Sequence, residues 1–143
     1  MKLVDLNILL YAVNQHASWH EPVRSWWQTT LANDEAVGLP WVVLLGFLRV
    51  STNARVFTNP LSSSEAIEQV EGWLTHPGVR IVREREEHWR ILKQLLNESG
   101  TAGNLTTDAH LAALAISHGA VLASCDADFG RFRHLRWENP TAN

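Results

Sequence analysis

Apolar residues along this chain fall into two kinds of run. Short blocks, KLVD (2–5), AVGL (36–39), VRIV (79–82) and AVLASC (120–125), are aliphatic and too brief for stable helices, so they read as buried strands. Between them, apolar positions recur every three or four residues, which predicts helices over 7–13, 20–31, 41–52, 63–74, 84–97 and 107–118. Parallel strands need a crossover, normally a helix, so this alternation points to an α/β fold with a central parallel sheet.

Several helices carry end signals. Ser62 followed by Glu65 reads as a capping box, with Ile67, Val70 and Leu74 forming one apolar face behind it. Gly119 is placed to close the helix that begins near Thr106, and Glu86 and Arg90, four apart, are placed to pair on a solvated face. NESGTAGN (97–104) is the one flexible loop, a candidate lid or hinge; there is no internal repeat, linker or low-complexity tract. WVVLLGFLRV (41–50) breaks its own pattern with Gly46, which in a helix interior costs about 1 kcal/mol relative to alanine. Either a neighbour packs closely there, or a chemically active side chain ordinarily occupies the position.

Composition narrows the class. A length of 143 residues is that of one ordinary domain, expected to span 1–143. With 45% hydrophobic and 19% charged residues and no apolar run near the roughly 20 residues of a bilayer span, no membrane role is expected. MKLVDLNILLYAVNQ is interrupted by Asp5 and Asn7 and lacks a small-residue cleavage site, so it is expected to be a buried strand and helix of a cytoplasmic protein. Cys125, the lone cysteine, excludes an internal disulfide and a thiol metal cluster and fits a reducing compartment. A net charge of −3 argues against binding nucleic acid through bulk positive charge. It does not exclude nucleic acid, because two divalent cations gathered by acidic residues would bring the balance to about +1 and would themselves face phosphates.

The acids sort by position. In an open parallel sheet, ligands bind beyond the carboxyl ends of the strands. Asp5 ends the first strand, Asp126 and Asp128 follow the strand AVLASC, and Asp108 lies in the first turn of TTDAHLAALAISHG, so all four are expected at one sheet edge. Each also has a purely structural reading: Asp108 favours a helix N-terminus, and Asp5, Asp126 and Asp128 suit caps and turns. Gathered together, however, they would repel one another and need a compensating cation, for which Mg²⁺ or Mn²⁺ is suited by its preference for carboxylate oxygen.

VDLNILLYA, LLGFLRVST, GNLTTDAHLAALAISHG and SCDADFGRF, taken in order, resemble the successive motifs of PIN-domain ribonucleases, in particular VapC-type toxins of toxin–antitoxin pairs. The resemblance runs from Met1 to LRWENP and implies a PIN-like α/β/α sandwich. It implies that Asp5, Asp108 and Asp126 bind metal, that Asp128 is an accessory acid, and that Asn7, Thr107 and Ser124 support the acidic site; ordinary capping is the other reading of those three. Where these toxins carry E-x-x-R, the chain reads Gly46-Phe47-Leu48-Arg49, leaving the acidic position vacant. Drift, a packing role and a recovered or deliberately inactive variant all remain open as its origin.

What the resemblance implies chemically is Mg²⁺-dependent hydrolysis of RNA by an endoribonuclease, impaired here by Gly46. It also implies a homodimer and a cognate VapB-type antitoxin laid across the acidic groove. Arg49, Arg131 and Arg133 follow the acidic motifs and are candidate RNA contacts, surface exposure being their other reading. Trp26 and Trp27 are expected to divide between core and interface. Among competing readings, an antitoxin-binding module without nuclease activity is favoured by Gly46. An aspartyl phosphatase built on Asp5 lacks the second aspartate where Asn7 stands and a later lysine suited to the role, and a phosphate receiver domain meets the same objection. His16 and His20 lack the glutamate of an HExxH zinc site, and His110 lies near Asp108 without a ligand pattern of its own.

Overall fold

The computed structural model describes residues 1–142; residue 143, the far end of the expected domain, lies outside them. Its strands are β1 (Lys2–Val4), β2 (Val37–Pro40), β3 (Val79–Val82), β4 (Val121–Ala123) and β5 (Trp137–Glu138). The helices are α1 (Leu6–Val13), α2 (His20–Ala32), α3 (Trp41–Ser51), α4 (Ser63–Leu74), α5 (His88–Ser99) and α6 (Thr106–Ser117). Every strand pair is parallel, in the order β3-β2-β1-β4-β5. The first three strands therefore step outward to one side of β1, and β4 and β5 return to the other. Order reverses between β1 and β4, the position where open α/β sheets leave a crevice beyond their carboxyl ends.

Six helices flank this sheet in the expected α/β/α arrangement. Helix α1 packs on α2 and α3, α3 on α4, and α5 on α6. Leu3, Val4, Leu39, Leu122 and Ala123 of the strands are fully buried, as are Ala109 and Ala112–Ala115, apart from Leu111 at 2% exposure, in α6. Helix α6 is apolar around most of its circumference because it lies between the sheet and α5. On the other helical group, Trp73 meets Trp27 edge-on at 6.1 Å and Phe47 at 4.8 Å, tying α4 to α2 and α3. Trp27 is thus core, whereas Trp26 is partly exposed, with its indole N–H donating to Glu138 and Lys2 Nζ 5.2 Å from its ring centroid.

Differences from the sequence expectations have local causes. The capping box forms, with Glu65 N–H donating to Ser62 Oγ at 3.1 Å and Ser62 N–H to Glu65 Oε1 at 2.9 Å. The face of α4 that it buries is Ala66, Val70 and Trp73, whereas Ile67 stands half exposed, because the large indole sets the rotation of the helix. Helix α5 starts at His88, so residues 84–87 approach it as a loop and Glu86 makes no ion pair with Arg90 among the described residues. Gly119 ends α6 with φ +62°, a left-handed conformation that glycine adopts without steric cost. Strand β5 goes beyond the sequence pattern, since two residues carry no period. Among the described residues no helix is long and apolar enough to cross a membrane.

Candidate active site

Strand β1 delivers Asp5 directly to the reversal of strand order, where it becomes the N-cap of α1. Its Oδ1 accepts the Leu6 N–H at 2.7 Å, and its Oδ2 accepts from Ser124 Oγ at 2.7 Å and Asn7 Nδ2 at 3.2 Å. The capping reading of Asp5 is thus realised, at the same sheet edge where the other acids gather. Ser124, fully buried at the end of β4, is a hub: besides donating to Asp5, its Oγ accepts the Asp126 N–H at 3.0 Å and Asn7 Nδ2 at 3.1 Å. Asn7 Oδ1 in turn accepts the Cys125 N–H at 3.1 Å, and the Trp137 indole N–H holds the Ser124 carbonyl at 3.0 Å. The loop that carries the next acids is therefore fixed to β1 and β5 through side chains.

That loop turns into a short 3₁₀ segment, Ala127–Arg131, capped by Asp126, whose Oδ1 accepts the Asp128 N–H at 2.9 Å. Asp108 comes from the other direction, in the first turn of α6. Oxygen atoms of Asp108, Asp126 and Asp128 lie within 4.8 Å of one another. Asp5 stands outside that trio with its oxygens engaged by Leu6, Asn7 and Ser124. Asp108, Asp126 and Asp128 thus form one close group, and Asp5 lies near enough to Asp108 to line the same cleft and to add to the repulsion that raises it.

Charge within the site is poorly compensated. Burial pushes the Asp108 carboxyl up to about 6, helped by the neighbouring charges of Asp126, Asp5 and Asp128. Burial likewise raises Asp5, outweighing the hydrogen bonds from Ser124, Leu6 and Asn7 that favour its charged form. Among the described residues the cation paired with the trio is Arg131, whose guanidinium lies 3.7 Å from Asp128, both side chains being about half exposed. Three carboxylates within bridging distance, partly shielded from water and set in mutual repulsion, form an all-oxygen donor set fitted to a hard divalent cation.

Beside the acids runs a cleft of about 410 Å³ lined by Asp5, Asn7, Thr107 and Asp108 on one part and Leu6, Leu10, Val42, Val43 and Leu111 on another. Arg49 reaches the same cleft from α3. Arg131 and Arg133 line a second cleft, of about 550 Å³, with Glu98 and Ser99. His110 bonds to His88 at 2.9 Å and lies 3.6 Å from Glu84, while His16 and His20 bond to Asn59 and to the Tyr11 carbonyl respectively.

Position 46 has an occupant of a different kind. Gly46 is buried, and a Cβ built on it would stand 2.8 Å from Leu6 Cδ2. Close packing, one of the two reasons a glycine there could have, is present. The sequence does not single out Leu6, because hydrophobic periodicity does not reveal which residue of α1 meets which residue of α3.

The PIN domain model matches residues 2–135 of the chain. Ribonuclease VapC37 of Mycobacterium tuberculosis is 45% identical over 142 residues, covering 99% of each chain. Ribonuclease VapC33 of the same species is 41% identical over 140 residues, covering 98% of each. Among solved structures, VapBC2 from Rickettsia felis, bound to a DNA fragment from its promoter, superposes with a TM-score of 0.71 at 19% identity, covering 96% of this chain and 97% of the other. The family match and the identities over nearly the whole chain agree: the chain belongs to the PIN-domain family, as a VapC-type member.

Proposed function

We propose that this chain is the toxin of a toxin–antitoxin pair and an endoribonuclease that hydrolyses phosphodiester bonds in RNA with Mg²⁺, or Mn²⁺ in its place. The observation that carries this reading is the meeting of Asp108, Asp126 and Asp128 within 4.8 Å at the reversal of strand order. Names of the similar ribonucleases support the reaction class.

Asp108, Asp126 and Asp128 would hold the cation, with Asp5 beside Asp108 in the same cleft as a further carboxylate for it. A bound divalent ion supplies Lewis acidity toward the phosphate and lowers the pKa of a coordinated water. The chain's own part is to hold the carboxylates still. Ser124 and Asn7 fix Asp5, Ser124 also fixes the Asp126 backbone, and Asp126 fixes that of Asp128. No side-chain nucleophile is needed, since water attacks phosphorus. Arg49 on one side and Arg131 and Arg133 on the other are placed to meet flanking phosphates. Without a carboxylate at position 46, the donor set is smaller than the resemblance implies, and cleavage is slower than a complete acidic set would give.

A VapB-type antitoxin is the partner, supported by the toxin–antitoxin assembly among the structural neighbours, and the active unit is a homodimer in the cytoplasm. Gly46 favours a second reading, an antitoxin-binding PIN module that has lost catalysis. The test is RNA cleavage by the purified chain with Mg²⁺, with chelator, and with Asp108→Asn. Cleavage that chelator and Asp108→Asn both abolish supports the nuclease. Antitoxin binding without cleavage by the chain as it stands supports the second reading.

A further inference from the structure

Leu6 and Gly46 meet at the edge of the acidic cleft. Leu6 follows Asp5 immediately and lines the same cleft as Asp5 and Asp108. Gly46 lies in the interior of α3, buried, where glycine weakens the helix. A Cβ at 46 would meet Leu6 Cδ2 at 2.8 Å, Cδ1 at 3.5 Å and Cγ at 3.6 Å, so the entire isopropyl group of Leu6 lies over the Gly46 backbone. The shortest of these is closer than carbon atoms tolerate, whereas the other two are ordinary contact. Leu6, as it stands, therefore occupies the space over Gly46, and its terminal methyls would have to turn aside for any side chain at 46.

We infer that Leu6 and Gly46 are a sterically coupled pair, and that Leu6 is the positioning residue that closes the α3 side of the acidic cleft to a carboxylate. The inference rests on the proposed metal centre only for its consequence. Its steric half stands on packing alone. The consequence is that position 46 is filled, not merely vacated. A glutamate introduced there cannot reach Asp108 and Asp126 while Leu6 keeps its rotamer, and a Leu6 forced out of it would intrude on the cleft. The metal centre of this chain is then built from the β4 loop and α6, with α3 contributing an aliphatic wall through Val42 and Val43.

Two measurements on the intact chain test this. In metal-free urea melts, Gly46→Ala lowers the midpoint when Leu6 is present and raises it in the Leu6→Ala background, where the helix gains a better former without a clash. An equal shift in both backgrounds overturns the coupling. In Mn²⁺ titrations, Gly46→Glu alone leaves affinity unchanged or weaker, and Leu6→Ala/Gly46→Glu binds about tenfold or more tightly than the unaltered chain. Tightening by Gly46→Glu alone equal to that of the double variant overturns the claim that Leu6 bars the position. Unaltered chain that takes up no Mn²⁺, with Asp108→Asn indistinguishable, sinks the metal reading instead, and the melts still judge the pair.

Discussion

Ser124 Oγ donates to Asp5 Oδ2 at 2.7 Å across 119 positions of sequence, joining the ends of two neighbouring parallel strands at the point where the order of the sheet reverses. The same hydroxyl oxygen accepts from Asp126 N–H and Asn7. A single buried atom thus sets the spacing between the β1 acid and the loop of the β4 acids. Ser124→Ala leaves a buried carboxylate and a backbone N–H each short of a partner. It is expected to destabilise the fold by about 1–3 kcal/mol and to reduce cleavage by more than the lost folded fraction explains. Urea melts beside cleavage assays under conditions where both proteins are fully folded check this. Equal cleavage there would show that Ser124 supports the fold alone.

Asp108 makes stability depend on pH in a direction opposite to that of a salt-bridged carboxylate. Its carboxyl is raised from 3.8 to about 6, so between those pH values the folded state holds a proton that the unfolded chain has released. The contribution is fully present below pH 3.8 and is lost as pH rises through 6. Burial shifts Asp5 in the same direction. Metal-free protein is therefore expected to show a falling contribution to melting temperature from these groups as pH rises from about 4 to about 7. Asp108→Asn should flatten that slope, and Mg²⁺ should restore stability near neutral pH in the unaltered chain but less so in the variant. Thermal melts of both proteins across this range, with and without Mg²⁺, are the measurement.

Much of the site was legible because topology sorts acids by position. Asp5, Asp126 and Asp128 end strands or follow them, and Asp108 opens a helix, so the rule for parallel sheets places them together before any coordinate is known. Which oxygens remain free was not legible. Asp5 accepts from Leu6, Asn7 and Ser124, and Asp128 comes within 4.8 Å of Asp108 and Asp126, both matters of side-chain direction. Gly46 stands out as an anomaly in the sequence, but its explanation lies in Leu6, on another helix. Strand β5 escaped for a similar reason: Trp137 and Glu138 pair with Leu122 and Ala123, and nothing in two residues encodes that register.

Arg131 and Arg133 offer a separation of RNA binding from chemistry. Both are exposed and line one cleft, and the Arg131–Asp128 pair at 3.7 Å is solvated enough that its loss should leave the fold intact. Replacing either by alanine in an Asp108→Asn background should weaken binding of single-stranded RNA. It should also flatten the dependence of log affinity on log salt by about 0.7 for each phosphate that is no longer neutralised. Filter-binding or anisotropy titrations at several salt concentrations read this directly. An unchanged slope would place the RNA path elsewhere, with Arg49 the next residue to test.

Asp126 has two roles that a single substitution can part. Its side chain caps the 3₁₀ segment by accepting the Asp128 N–H at 2.9 Å, and its charge contributes to the repulsion that raises Asp108. Asparagine keeps the accepting Oδ1 and caps as well as aspartate, but removes the charge. If the residue were only a cap, Asp126→Asn would be silent in every assay. With a metal centre at this place, the variant should keep its stability to within about 0.5 kcal/mol or gain slightly from relieved repulsion. It should also bind Mn²⁺ at least about tenfold more weakly and lose cleavage accordingly. Asp126→Ala, which removes cap and charge together, should match it in metal binding but fall below it in stability by about 0.5–2 kcal/mol. Melts and Mn²⁺ titrations of the two variants side by side therefore assign the cap to the oxygen and the chemistry to the charge.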